Sequence, residues 1–436
     1  MEKFFKIKQR RSSVRTEVIG GVTTFLAMAY IVAVNPAILA DAGIPFSAAL
    51  TATCFGAAVA TIAMGIFANR PIALASGMGI NAVVAYGMCG SMGIDWRVAM
   101  AVVLLEGVVI LGLVLGGLRK AVMDAIPLDL RQAIGIGIGL LITFIGLKGA
   151  GLVIADDTTL IALGPLTEAS ALVAVVALAS AVILTIAKVP GGLLISIVLA
   201  VVVGLPLGVT PVPSSWSLGL DFSAFAAPLQ DVGGVPAIVQ VILQPALWLF
   251  VFSLLMSDFF DTLGTAVAVA KEGDFLDENG DVKDIKAILT VDSTAAIIGG
   301  FFGSSSITCF LESASGVAAG ARTGFSNLVV GLLFIVCAFF APVFSMVTGA
   351  ATCGALVVVG FLIMSEVGSI NWGKPELAFP AFLIIVGIPF TYSITNGIGL
   401  GFIGYVILMA ARGQAAQVKP LMWVAALAFL CMFLFV

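Results

Sequence analysis

The sequence predicts an all-α polytopic membrane protein built from seven plus seven segments related as an inverted repeat, with half-helices at segments 3 and 10. Four observations carry that prediction. Of the 436 residues, 61% are hydrophobic and 10% charged, at a mean hydropathy of +1.20. Apolar runs of about 20 residues, the length that crosses a bilayer as a helix, recur from end to end. If each run crosses once, eighteen of the twenty Lys and Arg fall on the side of the N-terminus, which the positive-inside bias assigns to the cytoplasm. Finally, two small-residue stretches, Pro71–Gly87 and Gly303–Gly324, stand at corresponding places in the two series of segments.

Taken in order, residues 1–15 form a basic cytoplasmic N-terminus with Lys3, Lys6, Lys8, Arg10, Arg11 and Arg15. It opens directly into a long span, without a cleavable signal. Charged and Gly/Pro breaks then bound segments at 16–40, 47–68, 72–93, 97–118, 130–147, 168–187 and 191–208. A polar, Pro-rich stretch without Lys or Arg, Thr210–Gly234, precedes a second series at 244–270, 287–302, 305–320, 325–347, 350–368, 376–392 and 395–411. Only Arg97 and Lys148 fall on the outer side. Because each half holds an odd number of crossings, the second is inverted relative to the first. Such repeats place a ligand near the bilayer midplane, at interrupted helices. The last apolar run, Leu421–Val436, breaks the even count, so it either crosses again or lies along the interface.

The interrupted pair reads PIALASGMGINAVVAYG in segment 3 and GSSSITCFLESASGVAAGARTG in segment 10. Each begins as an extended patch of small residues and then turns helical. A helix that starts inside the bilayer has free N–H groups at its first turn, and these face a ligand. Ser304, Ser305, Ser306 and Thr308 add capping oxygens there. Small residues also serve helix packing, so the pairing and order of the two stretches carry the argument.

Ionisable residues in apolar segments are few: Glu106, Asp258, Asp261, Asp292 and Glu312, with Asn81 as a strongly polar companion. In DFFDTLGT, Asp258, Asp261, Thr262 and Thr265 fall at i, i+3, i+4 and i+7, one polar stripe of a helix. A carboxylate at bilayer depth costs roughly 2.5–3.5 kcal/mol on insertion scales, so it is normally kept for a pathway or a ligand. Two carboxylates one turn apart repel, which favours binding a proton. With no histidine in the chain, proton handling falls to Glu312, Asp258, Asp261 and Asp292. By the repeat, Asn81 and Glu312 are expected at comparable places on facing half-helices. Carboxylates accept N–H donors and a carboxamide offers both a donor and an acceptor, which suits an uncharged planar heterocycle such as a purine base. A small anion would want Arg or Lys, and no segment centre has one.

Blander readings stand beside these. Glu312 could pair with Arg322, though ten residues of helix separate them by about 15 Å. Asp292 could orient backbone, Glu106 could serve an interhelical hydrogen bond, and Thr23 and Thr24 could line the site or bond the carbonyl one turn back. Phe25, Tyr30 and Phe260 could stack on a flat ligand or simply pack. The six cysteines are scattered without CxxC spacing, which implies neither a metal nor a disulfide framework, and no cofactor is expected. The loop KEGDFLDENGDVKDIK (Lys271–Lys286) lacks the spacing of a calcium loop and reads as a solvated hairpin or turn. No G-x-x-x-x-G-K-[ST] supports ATP-driven work, and no basic, aromatic-interleaved patch points to nucleic acid.

GGVTTFLAMAYIVAVNP (Gly20–Pro36), GMGINA (Gly77–Ala82), DFFDTLGT (Asp258–Thr265), ESASGVAAGARTG (Glu312–Gly324) and PFTYSITNGIGLG (Pro389–Gly401) resemble the AzgA-like purine permeases of the nucleobase–cation symporter and nucleobase/ascorbate transporter group. The resemblance spans nearly the whole chain. It implies a core domain (16–118 and 244–347) and a gate domain (119–208 and 348–411), with an extracytoplasmic linker at 209–243 and a C-terminal apolar segment at 412–436. It also implies proton-coupled uptake of hypoxanthine, guanine or adenine across the cytoplasmic membrane, by a homodimer moving in elevator fashion. Asn81, Asp258, Asp261 and Glu312 match positions that the family uses for substrate; Thr24, Gly79 and Thr308 complete the candidate substrate-binding set. Two departures, Ser76 in place of a proline and Val83–Val84 in place of a more aromatic pair, leave the polar set intact and bear on the choice among purines. The alternatives are a carrier of anions such as sulfate with the same architecture, a passive channel, and an intramembrane aspartyl protease. The first would do without acidic side chains. The last needs two aspartates from separate helices meeting near 3 Å, whereas Asp258 and Asp261 share one helix.

Overall fold

The computed structural model describes residues 2–117, 126–213, 219–273, 275–276 and 282–435. Among the described residues, nine helical stretches are long and apolar enough to cross a membrane: Val14–Asp41 (interrupted at Ala29 and Tyr30), Phe46–Ala68, Trp96–Leu115, Leu128–Gly149, Ala169–Ile186, Pro245–Glu272, Ile285–Phe302, Gly349–Ser369 and Ile394–Ala411. They are segments 1, 2, 4, 5, 6, 8, 9, 12 and 14. Segments 7, 11 and 13 are the shorter helices Gly192–Gly204, Phe325–Ala338 and Pro375–Thr391. Segments 3 and 10 are the interrupted pair, so all fourteen expected segments have a counterpart.

Segment 1 is not one continuous helix, as the sequence suggested. It breaks after Met28 and restarts at Ile31, with Ala29 and Tyr30 between. Segments 3 and 10 enter as extended backbone, and their strands Leu74–Ser76 and Ile307–Cys309 pair antiparallel, Ala75 opposite Thr308. Short helices follow, Met78–Ala82 and Ser313–Ala318. A two-stranded ladder inside a membrane protein leaves backbone polar groups that only protein can satisfy. Side chains from surrounding segments do so. Thr61 Oγ1 both accepts from Leu74 N at 2.9 Å and donates to Leu74 O at 2.8 Å. Ser313 Oγ accepts from Ala73 N at 2.9 Å, and Asn327 Nδ2 donates to the carbonyls of Arg70 and Ile72 at 3.0 and 2.8 Å. Ser76, where the family resemblance leads one to expect proline, donates its hydroxyl to Ser304 O at 2.7 Å.

The helices pack in two sets. Segment 5 lies against 12 and 13, segment 6 against 7 and 12, and segment 13 against 14. In the other set, segment 9 lies against 2 and 4, segment 11 against 1 and 2, and segment 8 against 4. Glycines let several crossings close tightly. A Cβ on Gly316 would come within 2.0 Å of Thr24 Oγ1 and 2.5 Å of Gly20 O, so segment 10 sits on the backbone of segment 1.

The terminal helix Pro420–Phe435 doubles back beside segment 14, with Phe429 on Phe402 at 6.0 Å and Phe433 against Gly399. Between segments 5 and 6 a hairpin pairs Val153–Asp156 with Leu160–Leu163, an element the hydropathy pattern does not announce. The acidic loop after segment 8 closes with an antiparallel bridge between Leu276 and Val282, as expected of a hairpin. Its tip, 277–281, lies outside the described residues, as do Arg119 and Lys120. All six cysteines are free thiols.

Candidate functional site

Glu312 occupies the N-cap position of the half-helix Ser313–Ala318, makes no capping bond with its side chain, and is half-buried. The hydroxyl of Tyr30, at the break in segment 1, donates to its Oε1 at 2.6 Å. Segment 8 contributes the polar stripe: Asp258, Thr262 and Thr265 are buried, whereas Asp261 is exposed and faces the charges of Asp292 and Glu312. Tyr30 faces both Glu312 and Asp261. Glu312, Asp261 and Tyr30 therefore converge on one opening at the start of a half-helix, whose first N–H groups, of Ser313, Ala314 and Ser315, bond back to the carbonyls of Phe310, Leu311 and Glu312.

Behind this opening lies a buried polar layer. Asp292 Oδ2 accepts from Thr262 Oγ1 at 2.7 Å, and its Oδ1 accepts from Cys309 N at 3.1 Å. Asp292 thus holds the strand of segment 10 in place, the backbone-orienting reading. Thr308, fully buried, lies 2.8 Å from Thr262 through the two hydroxyl oxygens. Glu106 accepts from Ser306 Oγ at 3.2 Å across segments 4 and 10, as the interhelical reading expected.

Asn81 differs from its expected place. Strand pairing puts Glu312 four residues past Thr308, but Asn81 six past Ala75. Glu312 is thus an N-cap, while Asn81 lies within the helix Met78–Ala82 and is fully buried. The two are not equivalent by the repeat. Asn81 Nδ2 donates to Asn35 Oδ1, and its own Oδ1 has no partner among the described residues. Asn35 in turn donates to Thr53 Oγ1 at 2.8 Å and Ser304 O at 3.2 Å, tying segments 1, 2, 3 and 10 together. Sequence reasoning missed Asn35, although an asparagine inside an apolar helix is itself a signal.

Other expectations resolve by geometry. Thr23 does not line the site; its hydroxyl bonds back to Ile19 O at 2.9 Å. Thr24 is buried against Gly316. Gly79 sits where a side chain would meet Ile138 of segment 5 at 2.8 Å. Phe25 packs edge-on against Phe334, ring centroids 5.3 Å apart, and Tyr30 is a hydrogen-bond donor; the Phe260 side chain lies outside the described residues. Arg322 spends its guanidinium on the carbonyls of Val317 and Ala321, and its backbone N–H goes to Glu17, so it is not the partner of Glu312. A separate cavity of about 240 Å³ lies between segments 1 and 3 on one side and 5 and 12 on the other, lined by Asp41, Tyr86, Ile145 and Thr352 among others. It does not include Glu312 or the segment 8 aspartates.

The Xan_ur_permease model, described as a permease family, matches residues 15–400. The chain is similar to the guanine/hypoxanthine permease PbuG of Bacillus subtilis, 38% identical over 449 residues and covering 100% of both chains. It is also similar to the adenine permease AdeP of Escherichia coli, 37% identical over 439 residues, 100% of this chain and 96% of the relative. Among solved structures it resembles the transmembrane domain of the cyanobacterium bicarbonate transporter BicA, at a TM-score of 0.67 and 16% identity, over 88% of this chain and 97% of that one. The murine Slc26a9 anion transporter in its inward-facing state gives a TM-score of 0.63 at 14% identity, over 92% and 69% of the two chains. At such identities the likeness is one of fold, the seven-plus-seven inverted repeat.

Proposed function

We propose, from the premise that this chain belongs to the Xan_ur_permease family of permeases, that it takes up purine nucleobases across the cytoplasmic membrane by secondary active transport with protons. The observation that carries this reading is Glu312, half-buried at the start of a half-helix and oriented by Tyr30 beside exposed Asp261. Guanine and hypoxanthine present N1–H beside C6=O, and a carboxylate accepts the first directly. Adenine, with an unprotonated N1, is held by a protonated carboxyl. Asn81 backs the opening from the buried layer, where its Oδ1 has no partner among the described residues, and Gly79 lets segment 3 approach Ile138 of segment 5 closely. The names of the full-length relatives, guanine/hypoxanthine and adenine permeases, support the purine assignment.

Coupling follows if a buried carboxylate binds its proton with different free energy in the outward- and inward-facing states. The two packing sets support core and gate domains, segments 1–4 and 8–11 against 5–7 and 12–14, that slide past each other in a homodimer. The clustering of Lys and Arg supports a cytoplasmic N-terminus. The anion-carrier alternative shares the fold, but carboxylates line this opening.

Exchange of labelled hypoxanthine across proteoliposomes loaded with unlabelled base tests the substrate class. Guanine and adenine outside are expected to compete and uracil to be inert; competition by uracil alone, or by small anions, would displace the purine reading.

A further inference from the structure

A second carboxylate–tyrosine pair lies outside the site described above. The hydroxyl of Tyr86 in segment 3 donates to Asp41 Oδ2 at 2.8 Å, as that of Tyr30 donates to Glu312 Oε1 at 2.6 Å. Asp41 Oδ1 has no hydrogen-bond partner among the described residues. The eleven-residue helix Ile31–Asp41 separates Tyr30 from Asp41 by about 16 Å, so these are two places along segment 1. Asp41 and Tyr86 line the cavity of about 240 Å³ that segments 1 and 3 form with segments 5 and 12.

The polar side chains of the lining set the chemistry of an occupant. A hydroxyl has one proton to donate. Tyr86 spends its proton on Asp41, and Thr352 spends its own on Gly349 O at 3.2 Å. Asp41, Tyr86 and Thr352 therefore offer lone pairs to the cavity, and an occupant must bring the N–H or O–H. Charge disfavours ions of either sign. An anion would meet Asp41. A cation would meet Lys148, whose Nζ lies 4.9 Å from the centre of the Tyr392 ring, and that ring packs on Tyr86 at 5.5 Å. The Tyr86 ring gives a flat ligand a face to stack on. Gly146, Gly149 and Gly349 add backbone without side chains to the lining. The cavity is smaller than the roughly 300–1,000 Å³ of pockets for drug-sized ligands, which suits a free base better than a nucleoside.

We propose that this cavity is a second base-binding subsite, where a purine rests with an N–H on Asp41 Oδ1 and its ring against Tyr86 before it passes to Glu312. In the orientation proposed above, Asp41 ends segment 1 on the outer side, so the subsite is the one that an entering base meets first. It lies on the seam between the two packing sets, and a base held there touches both. Every purine base carries an imidazole N–H, which is all that Asp41 asks for. The outer subsite therefore takes guanine, hypoxanthine and adenine alike and leaves the choice among them to the Glu312 opening. Only hydrogen bonds and ring contacts form and break on the way.

This inference rests on the purine-transport reading above, and the experiment separates the two. Equilibrium dialysis counts labelled hypoxanthine bound per protomer of the purified protein, beside an exchange assay on the same preparation. The wild type is expected to bind two bases, one at Glu312 and one at Asp41. Asp41→Leu removes the outer acceptor and is expected to bind one. Glu312→Gln removes the inner charge and is also expected to bind one, and the double variant none. Gly149→Leu fills the cavity from a position where an added Cβ meets nothing within 4 Å. It too is expected to bind one base, and it decides the matter if Asp41→Leu does not fold. A folded wild type that exchanges hypoxanthine but binds a single base overturns this proposal and leaves the transport reading standing. So does a folded Asp41→Leu or Gly149→Leu that still binds two. A folded wild type that neither binds nor exchanges the base contradicts the transport reading and this one with it.

Discussion

Replacing Glu312 by Gln keeps the side chain's size and removes the charge that accepts from Tyr30. Uptake is expected to be abolished or severely weakened at normal membrane expression, and unchanged uptake would remove Glu312 from the site. Tyr30→Phe asks a finer question. A hydrogen bond to a charged group is worth about 1.5–3 kcal/mol, so its loss should weaken apparent affinity by roughly tenfold or more. The check is KM for hypoxanthine against folded yield; an unchanged KM would mean that Tyr30 does not orient the carboxylate. These residues were unequally legible. Glu312 stands out because a carboxylate in an apolar segment is costly. Tyr30 read as a possible stacking ring, since nothing local in the sequence announces that segment 1 breaks there and aims its hydroxyl at segment 10.

At the level of elements, the paired strands depend on side chains contributed from elsewhere in the chain. Asn327→Ala would orphan the carbonyls of Arg70 and Ile72, each buried acceptor costing about 1–3 kcal/mol. Thermal unfolding in detergent is expected to shift downward, and an unaltered midpoint would mean water replaces the amide. Gly316→Ala tests the tight crossing of segments 1 and 10. Its Cβ would meet Thr24 Oγ1 and the Gly20 carbonyl, the latter backbone that cannot rotate away. Overpacking of this kind costs about 1–3 kcal/mol, and adding Thr24→Ala should rescue only part of the loss. Full rescue would show that the hydroxyl, not the backbone, sets the approach. The half-helices were legible as small-residue patches in matching order. Their supports, Thr61, Ser313, Asn327 and Asn35, were not: a lone polar residue in an apolar helix does not name a partner up to 269 residues away. The hairpin Val153–Leu163 was missed although LVIADDTTLIAL places two apolar runs around a polar turn. Its shortness gave no hydropathy signal against the long helices beside it.

For the whole molecule, the segment count and the inverted arrangement were legible because bilayer length and charge asymmetry constrain every span. The register between the repeats was not, and the equivalence of Asn81 with Glu312 failed for that reason: two residues of slip on a half-helix move a side chain from the opening into the buried layer. What the assembled molecule is proposed to do is move a neutral base uphill using protons. The most direct measurement is accumulation of labelled hypoxanthine in proteoliposomes of the purified protein, with and without an inward proton gradient, challenged by excess adenine, guanine, xanthine or uracil. Gradient-driven accumulation that purines block and uracil does not is the predicted result. A demonstrably folded preparation that takes up no purine, or takes it up indifferently to the gradient, would contradict it.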